Sequence, residues 1–251
     1  MNRGRRPSER SAGTIDRTLR ELSGDAPSVY SPGMYLILRA AADPGHGEAP
    51  EWDAIPALHV AHFHARSSQH RPAVEARLAH ADRVIHVRFQ VDDRFVRCIH
   101  TDYESDTYKD SCVELFLQPQ GREGYFALEV NCGGAFSLRY IEDPRRTPNR
   151  FAKWTAVSAQ DAGRLRIGHS MPARVEPEVE GPVRWWVTVA WPVDTMEPYC
   201  GPIGDLRGQR WRGNAFKCGD ETSHPHWASW WPIGDALNFH QPSYFGPLVF
   251  A

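Results

Sequence analysis

Apolar and polar side chains alternate with a period of two through much of this chain, the pattern of strands with one buried face. In residues 84–91, Ile85, Val87, Phe89 and Val91 alternate with His86, Arg88 and Gln90. The clearest case is a pair of runs, Asp110-Ser-Cys-Val-Glu-Leu-Phe-Leu117 and Tyr125-Phe-Ala-Leu-Glu-Val-Asn131, separated by a Gly-bearing turn. Folded back about that turn, Val113, Leu115 and Leu117 meet Val130, Leu128 and Phe126 on one face, which reads as core. The other face then sets Glu114 directly opposite Glu129, with Cys112 beside Asn131 and Phe116 beside Ala127. Opposed like charges destabilise a strand pair, so a cation, an Arg, a proton or a hydroxyl-rich ligand must offset them.

Further strands are predicted over 34–38, 58–63, 135–141, 164–171, 184–191 and 247–250, while 72–82 reads as a short helix or turn. Residues 142–163 and 192–230 read as long loops rich in Pro and Gly, the kind that often carries function. Many short strands without strand–helix alternation predict an all-β fold, an antiparallel β-sandwich of jelly-roll or immunoglobulin-like type with long loops. Residues 1–29 are polar and Arg-rich, and are expected to form a flexible basic arm with room for one short helix at 15–22. The sandwich domain is expected over 30–251.

A chain of 251 residues can bury one ample core. Its net charge of -2 supplies no basic field for nucleic acid, and no apolar run approaches the ~20 residues of a membrane span. The N-terminus lacks the apolar stretch of a secretory signal, so the sequence as it stands predicts a cytoplasmic protein, or a secreted one if the true start differs. Cys98, Cys112, Cys132, Cys200 and Cys218 form an odd set without a CxxC pair and read as buried free thiols.

The Glu114 and Glu129 carboxylates can accept hydrogen bonds from sugar hydroxyls, hold calcium, or be neutralised by Arg88 or Arg139 from neighbouring strands. As a close carboxylate pair they also resemble the machinery of a retaining glycosidase, which makes an O-glycosyl hydrolase the alternative reading. Downstream, Cys218, Asp220, Glu221, His224 and His226 have metal-ligand identities in a spacing that fits no zinc pattern. Trp227, Trp230, Trp231, Phe239 and Tyr244 concentrate aromatic rings in the same stretch, as loop packing or as stacking platforms. No GxSxG elbow, Walker loop, HExxH or dinucleotide fingerprint is present, and Cys112 within an apolar strand reads as inert. A structural sandwich, one holding haem through a His and Met171, or one docking a partner through the Trp-rich loop, completes the alternatives.

Several of these segments, in order and spacing, resemble the family-nine carbohydrate-binding modules and their wider family-nine-like group, over about residues 34–251. They are the strand from Ile85 to Asp93 ending Val-Asp-Asp, Asp110-Ser-Cys-Val-Glu-Leu-Phe, and Leu128-Glu-Val-Asn with Gly133-Gly134. Trp186-Val-Thr-Val-Ala-Trp-Pro192 and the ending Pro242-Ser-Tyr-Phe-Gly-Pro-Leu complete the set. The resemblance implies a noncatalytic sugar-binding sandwich serving carbohydrate catabolism, with a carbohydrate ligand and a carbohydrate-active enzyme as partners. Calcium occurs in members of that family, and no other cofactor is implied. Two aromatic rings clamp a glycan end there: Tyr108 looks like one, where characterised modules carry Trp, and Phe239, with Asn238 and His240 beside it, like the other. Glu114 matches the family's carboxylate, whereas Glu129 stands where those modules place an Arg, reversing the charge. The expected ligand contacts are therefore Tyr108 and Phe239 as the clamp, Glu114, Glu129, Asn131 and Arg88 as polar groups, and Asn238, His240 and Trp230 around them.

Overall fold

The computed structural model describes residues 33–40, 51–148 and 150–251, so the arm expected over 1–29 and its short helix lie outside the described residues. Fourteen strands are found among them. They are β1 (Tyr35–Arg39), β2 (Leu58–His59), β3 (His62–Phe63), β4 (Ala73–Ala81), β5 (Val84–Cys98), β6 (Cys112–Gln118) and β7 (Tyr125–Asn131) in the first half. β8 (Phe136–Arg146), β9 (Phe151–Ala156), β10 (Arg166–His169), β11 (Val175–Pro192), β12 (Arg210–Cys218), β13 (Trp227–Ser229) and β14 (Gly246–Phe250) follow. Two helices of one turn, α1 (Ala159–Ala162) and α2 (Glu197–Cys200), sit in the connections. No helix among the described residues is long and apolar enough to cross a membrane.

The strands form two sheets. One runs β10-β11-β5-β4-β1, with β2 on β4; the other runs β1-β14-β12-β6-β7-β8-β9, with β13 and β3 continuing from β12. β1 belongs to both: Tyr35–Ile37 pair with β14, then Leu38 and Arg39 pair with β4. A strand that changes sheet in this way makes a corner of a sandwich. Its pairings are parallel on both sides, while the other ladders are antiparallel.

The hairpin folds in the register expected from sequence, with Val113↔Val130, Glu114↔Glu129, Leu115↔Leu128 and Leu117↔Phe126. Its apolar face packs against Ile85, Val87, Phe89 and Val91 of β5 and Trp185, Val187, Val189 and Trp191 of β11, and this is the core between the sheets. At the far end of β7, Gly134 has φ +89 and closes the turn into β8, where Asn131 N–H donates to Ala135 O at 3.0 Å. A residue with a side chain is strained there.

Two expectations need correction. The segment read as helix or turn over 72–82 is β4, because it joins β5 through the Asp82-Arg83 turn and turns Val74, Ala76 and Leu78 into the core. Pairing with a long neighbour overrides the helix preference of its Ala, Glu and Leu residues. The stretches read as loops over 142–163 and 192–230 contain β9 and most of β8's end, and β12 and β13. Residues Arg212–Cys218 of β12 pair with the whole of β6, yet Arg212, Gly213, Asn214 and Lys217 interrupt the strand's apolar alternation.

Candidate ligand-binding site

The second sheet is covered on both faces. Behind the hairpin, Phe116, Tyr125, Ala127, Ile141, Phe216 and Phe245 form a second apolar cluster under the 230–245 segment. Beside that cluster the same face opens into a cavity of about 440 Å³. Its floor is Glu114 of β6, Glu129 of β7 and Cys218 of β12, and its walls include Tyr108, Trp227 and Phe239.

Each wall is held by local structure. Tyr108 sits in a 3-10 turn, Thr107–Lys109, whose carbonyls receive Asp220 N–H (3.3 Å) and Glu221 N–H (2.9 Å). Trp227 donates Nε1–H to Asp220 Oδ1 at 2.7 Å. Phe239 stacks on Phe216 with centroids 4.2 Å apart and planes at 14°, leaving its opposite face for the cavity it lines. Asn238 and His240 line the cavity beside it. His240 as a residue is only half-buried, but its imidazole is enclosed: it stacks on Phe116 at 4.8 Å, meets Phe151 edge-on at 4.5 Å and pairs with Tyr125 Oη at 3.0 Å. That burial, with Arg146 and Arg139 nearby, depresses its pKa to about 3, so the ring is neutral.

The two carboxylates, both 4% exposed, solve their opposition differently. Glu129 accepts from Ser137 Oγ at 3.1 Å and lies 3.9 Å from Arg139 Nη1, both from β8. Burial raises its pKa while Arg139 and Ser137 pull it back. Arg139 is thus the cation beside the acid, one strand further along; it also binds Glu104 at 2.8 Å. Glu114 accepts from the Cys218 thiol at 3.1 Å. Burial first, then Cys218, Glu129 and Asp220, drive its pKa well above the ordinary carboxylate range.

Tyr108, Glu114, Glu129, Asn238, Phe239 and His240 therefore come together at one cavity. Three expected residues do not. Arg88 lies in the other sheet with its guanidinium over Trp186, because β5 pairs between β4 and β11, away from the hairpin. Asn131 is fully buried and spent on structure: Nδ2 donates to His100 O (2.7 Å) and Asp110 Oδ2 (3.0 Å), and Oδ1 accepts from Ala135 N–H. Trp230 packs on Tyr35 and Trp231 under the loop. Arg146 and Phe151 also line the cavity and were missed in the sequence, since they arrive from the stretch read as loop; they meet in a cation–π contact at 4.1 Å.

The downstream metal-ligand identities disperse. Glu221 pairs with Lys109 (3.2 Å), His224 stacks on Phe95 (3.7 Å), and His226 points into the core. Met171 packs, partly buried, against the inter-sheet core and does not line the cavity. The Glu pair does not fit calcium, which takes 6–8 oxygen ligands: Glu129 is engaged by an Arg and Glu114 is flanked by thiols.

The fold recurs in solved structures of other proteins. A candidate carbohydrate-binding protein from Bacteroides uniformis is 25% identical, with a TM-score of 0.74 over 87% of this chain and 99% of that one. A carbohydrate-binding module of family 9 from Caldicellulosiruptor kristjanssonii shares the fold. Its complex with glucose is 14% identical (TM-score 0.55, 87% of this chain and 95% of that one). Its complex with cellotriose is 15% identical (TM-score 0.53, 86% and 93%). No curated protein matches the chain. The sequence profile of carbohydrate-binding family 9 matches residues 51–250, and the chain belongs to that family.

Proposed function

We propose that the cavity binds the end of a carbohydrate chain, with Tyr108 and Phe239 offering rings to the apolar faces of a sugar and Glu114, Glu129 and Asn238 meeting its hydroxyls. The observation that carries this reading is the placement of two carboxylates at the floor of a cavity walled by Tyr108, Trp227 and Phe239. Sugars present apolar C–H faces and hydroxyl rims, and this wall and floor match both. The glucose and cellotriose complexes of the Caldicellulosiruptor module support the same ligand class. Binding of this kind serves carbohydrate catabolism, with a carbohydrate-active enzyme as the functional partner.

Ring contacts contribute about 0.5–1.5 kcal/mol each, which sets affinity in the micromolar range or weaker. Calorimetry against a panel of gluco-, manno- and galacto-oligosaccharides tests the reading. Tyr108→Ala and Phe239→Ala are each expected to weaken binding about tenfold. Absence of binding at millimolar sugar, or full binding by the double variant, would sink it.

A further inference from the structure

β6 and β12 run side by side with Cys112 directly opposite Cys218 and Glu114 opposite Phe216, so the two thiols and the Glu114 carboxylate share one sheet face. The donor atoms of Cys112, Glu114 and Cys218 all lie within 4.8 Å of one another. Among the described residues no Lys, Arg or His pairs with Glu114; its hydrogen-bond donor is the Cys218 thiol. Glu114 is nine-tenths buried and faces the cavity, and Asp220 lines the same space. This is a concentration of donors with no cation of its own, unlike Glu129 beside Arg139.

We propose that Cys112, Glu114 and Cys218 form a three-ligand seat for a soft divalent cation of the zinc class, its fourth coordination position opening into the cavity. Thiolates select zinc over calcium or magnesium. In a tetrahedral zinc site the ligand atoms lie about 3.5–3.8 Å apart, so small side-chain rotations close the present spacing. Binding takes all three ligands in their ionised form, so the two thiol protons and the proton of a neutral Glu114 carboxyl leave to solvent through the cavity, and two thiolates and one carboxylate surround a doubly charged ion. The adjacent strands fix two donors in register before any metal arrives. The inference stands apart from the sugar reading, because it needs no carbohydrate.

The test uses the full chain, reduced with a phosphine and kept anaerobic. Cobalt(II) is titrated as a spectroscopic probe, and zinc affinity is read by competition with a chromophoric chelator. One equivalent of cobalt is expected to produce a thiolate-to-cobalt charge-transfer band that one equivalent of zinc abolishes. Cys112→Ser and Cys218→Ser should each weaken zinc binding roughly 100-fold, and Glu114→Gln roughly tenfold. Cys132→Ser, which alters the separate thiol pair of Cys98 and Cys132, should leave it unchanged. No charge-transfer band in folded wild-type protein overturns the proposal, whatever the variants do. Equal zinc affinity in a folded Cys112→Ser/Cys218→Ser variant overturns it as well.

Discussion

Replacing Lys217 with methionine removes a charge from the middle of the protein while nearly keeping the side chain's length. Lys217 has no exposed surface and points from β12 into the core between the sheets, on the face opposite the cavity. Its Nζ donates to Cys218 O (2.7 Å) and His226 Nε2 (2.9 Å) and lies 3.8 Å from Asp93 Oδ2 on the other sheet. Asp93 also accepts from His70 Nε2 (2.7 Å), Arg94 N–H (2.8 Å) and Trp185 Nε1 (3.2 Å). Burial works against the Asp93 carboxylate, but Lys217 and His70 together hold its pKa below the ordinary range. Without Lys217, that anion stays buried with no adjacent ammonium. Breaking a buried pair costs about 3–5 kcal/mol, which at 2–4 °C per kcal/mol for a domain of this size lowers Tm by roughly 10 °C. Lys217→Met/Asp93→Asn removes both charges and should recover about half of the loss; the remainder is the donor missing at His226 and Cys218 O, at about 1 kcal/mol each. Urea and thermal unfolding of the four proteins close the cycle. A single variant within about 1 kcal/mol of the parent, or a double variant less stable than the single, would refute the account.

Two other predictions rest on neighbouring groups. His240 and His226 are both held neutral, with pKa values depressed from 6.5 to about 3, by burial and then by Arg146 or Lys217 respectively. The unfolded chain binds protons that the folded chain refuses, so stability should fall as pH drops from about 6.5 towards 3, by up to about 4–5 kcal/mol per ring. His240→Gln should flatten that slope in unfolding experiments across pH, and an unchanged slope would contradict the assignment. Arg139→Gln leaves the buried Glu129 without its cation and is expected to cost about 2–3 kcal/mol, less than for full burial because Arg139 is 22% exposed. Adding Glu129→Gln should restore most of it, measured by chemical denaturation.

The hairpin shows how far local pattern reaches. Period-two alternation in 112–118 and 125–131 dictated the partners, the core face and the opposition of Glu114 to Glu129, because side chains of a strand can face only two ways. The same logic failed for β12, since its core positions include Gly213 and Lys217, and a lysine reads as surface unless its partner is known. That partner, Asp93, belongs to the other sheet. β4 misled for a related reason: its Ala, Glu and Leu residues favour a helix locally, and only the neighbouring β5 makes them a strand.

The sequence by itself thus determined the strand pairs close along the chain, the all-β class, and the carboxylates on one sheet face, all consequences of local periodicity. Only the tertiary structure decided what surrounds those carboxylates: Arg139 beside Glu129, Cys112 and Cys218 beside Glu114, and Tyr108 with Phe239 at the same cavity. It also removed Arg88, Asn131 and Trp230 from that company. The physical reason is that β12 and the 230–245 segment come from far along the chain, and their contacts with the hairpin depend on how the sheets close rather than on any repeating pattern.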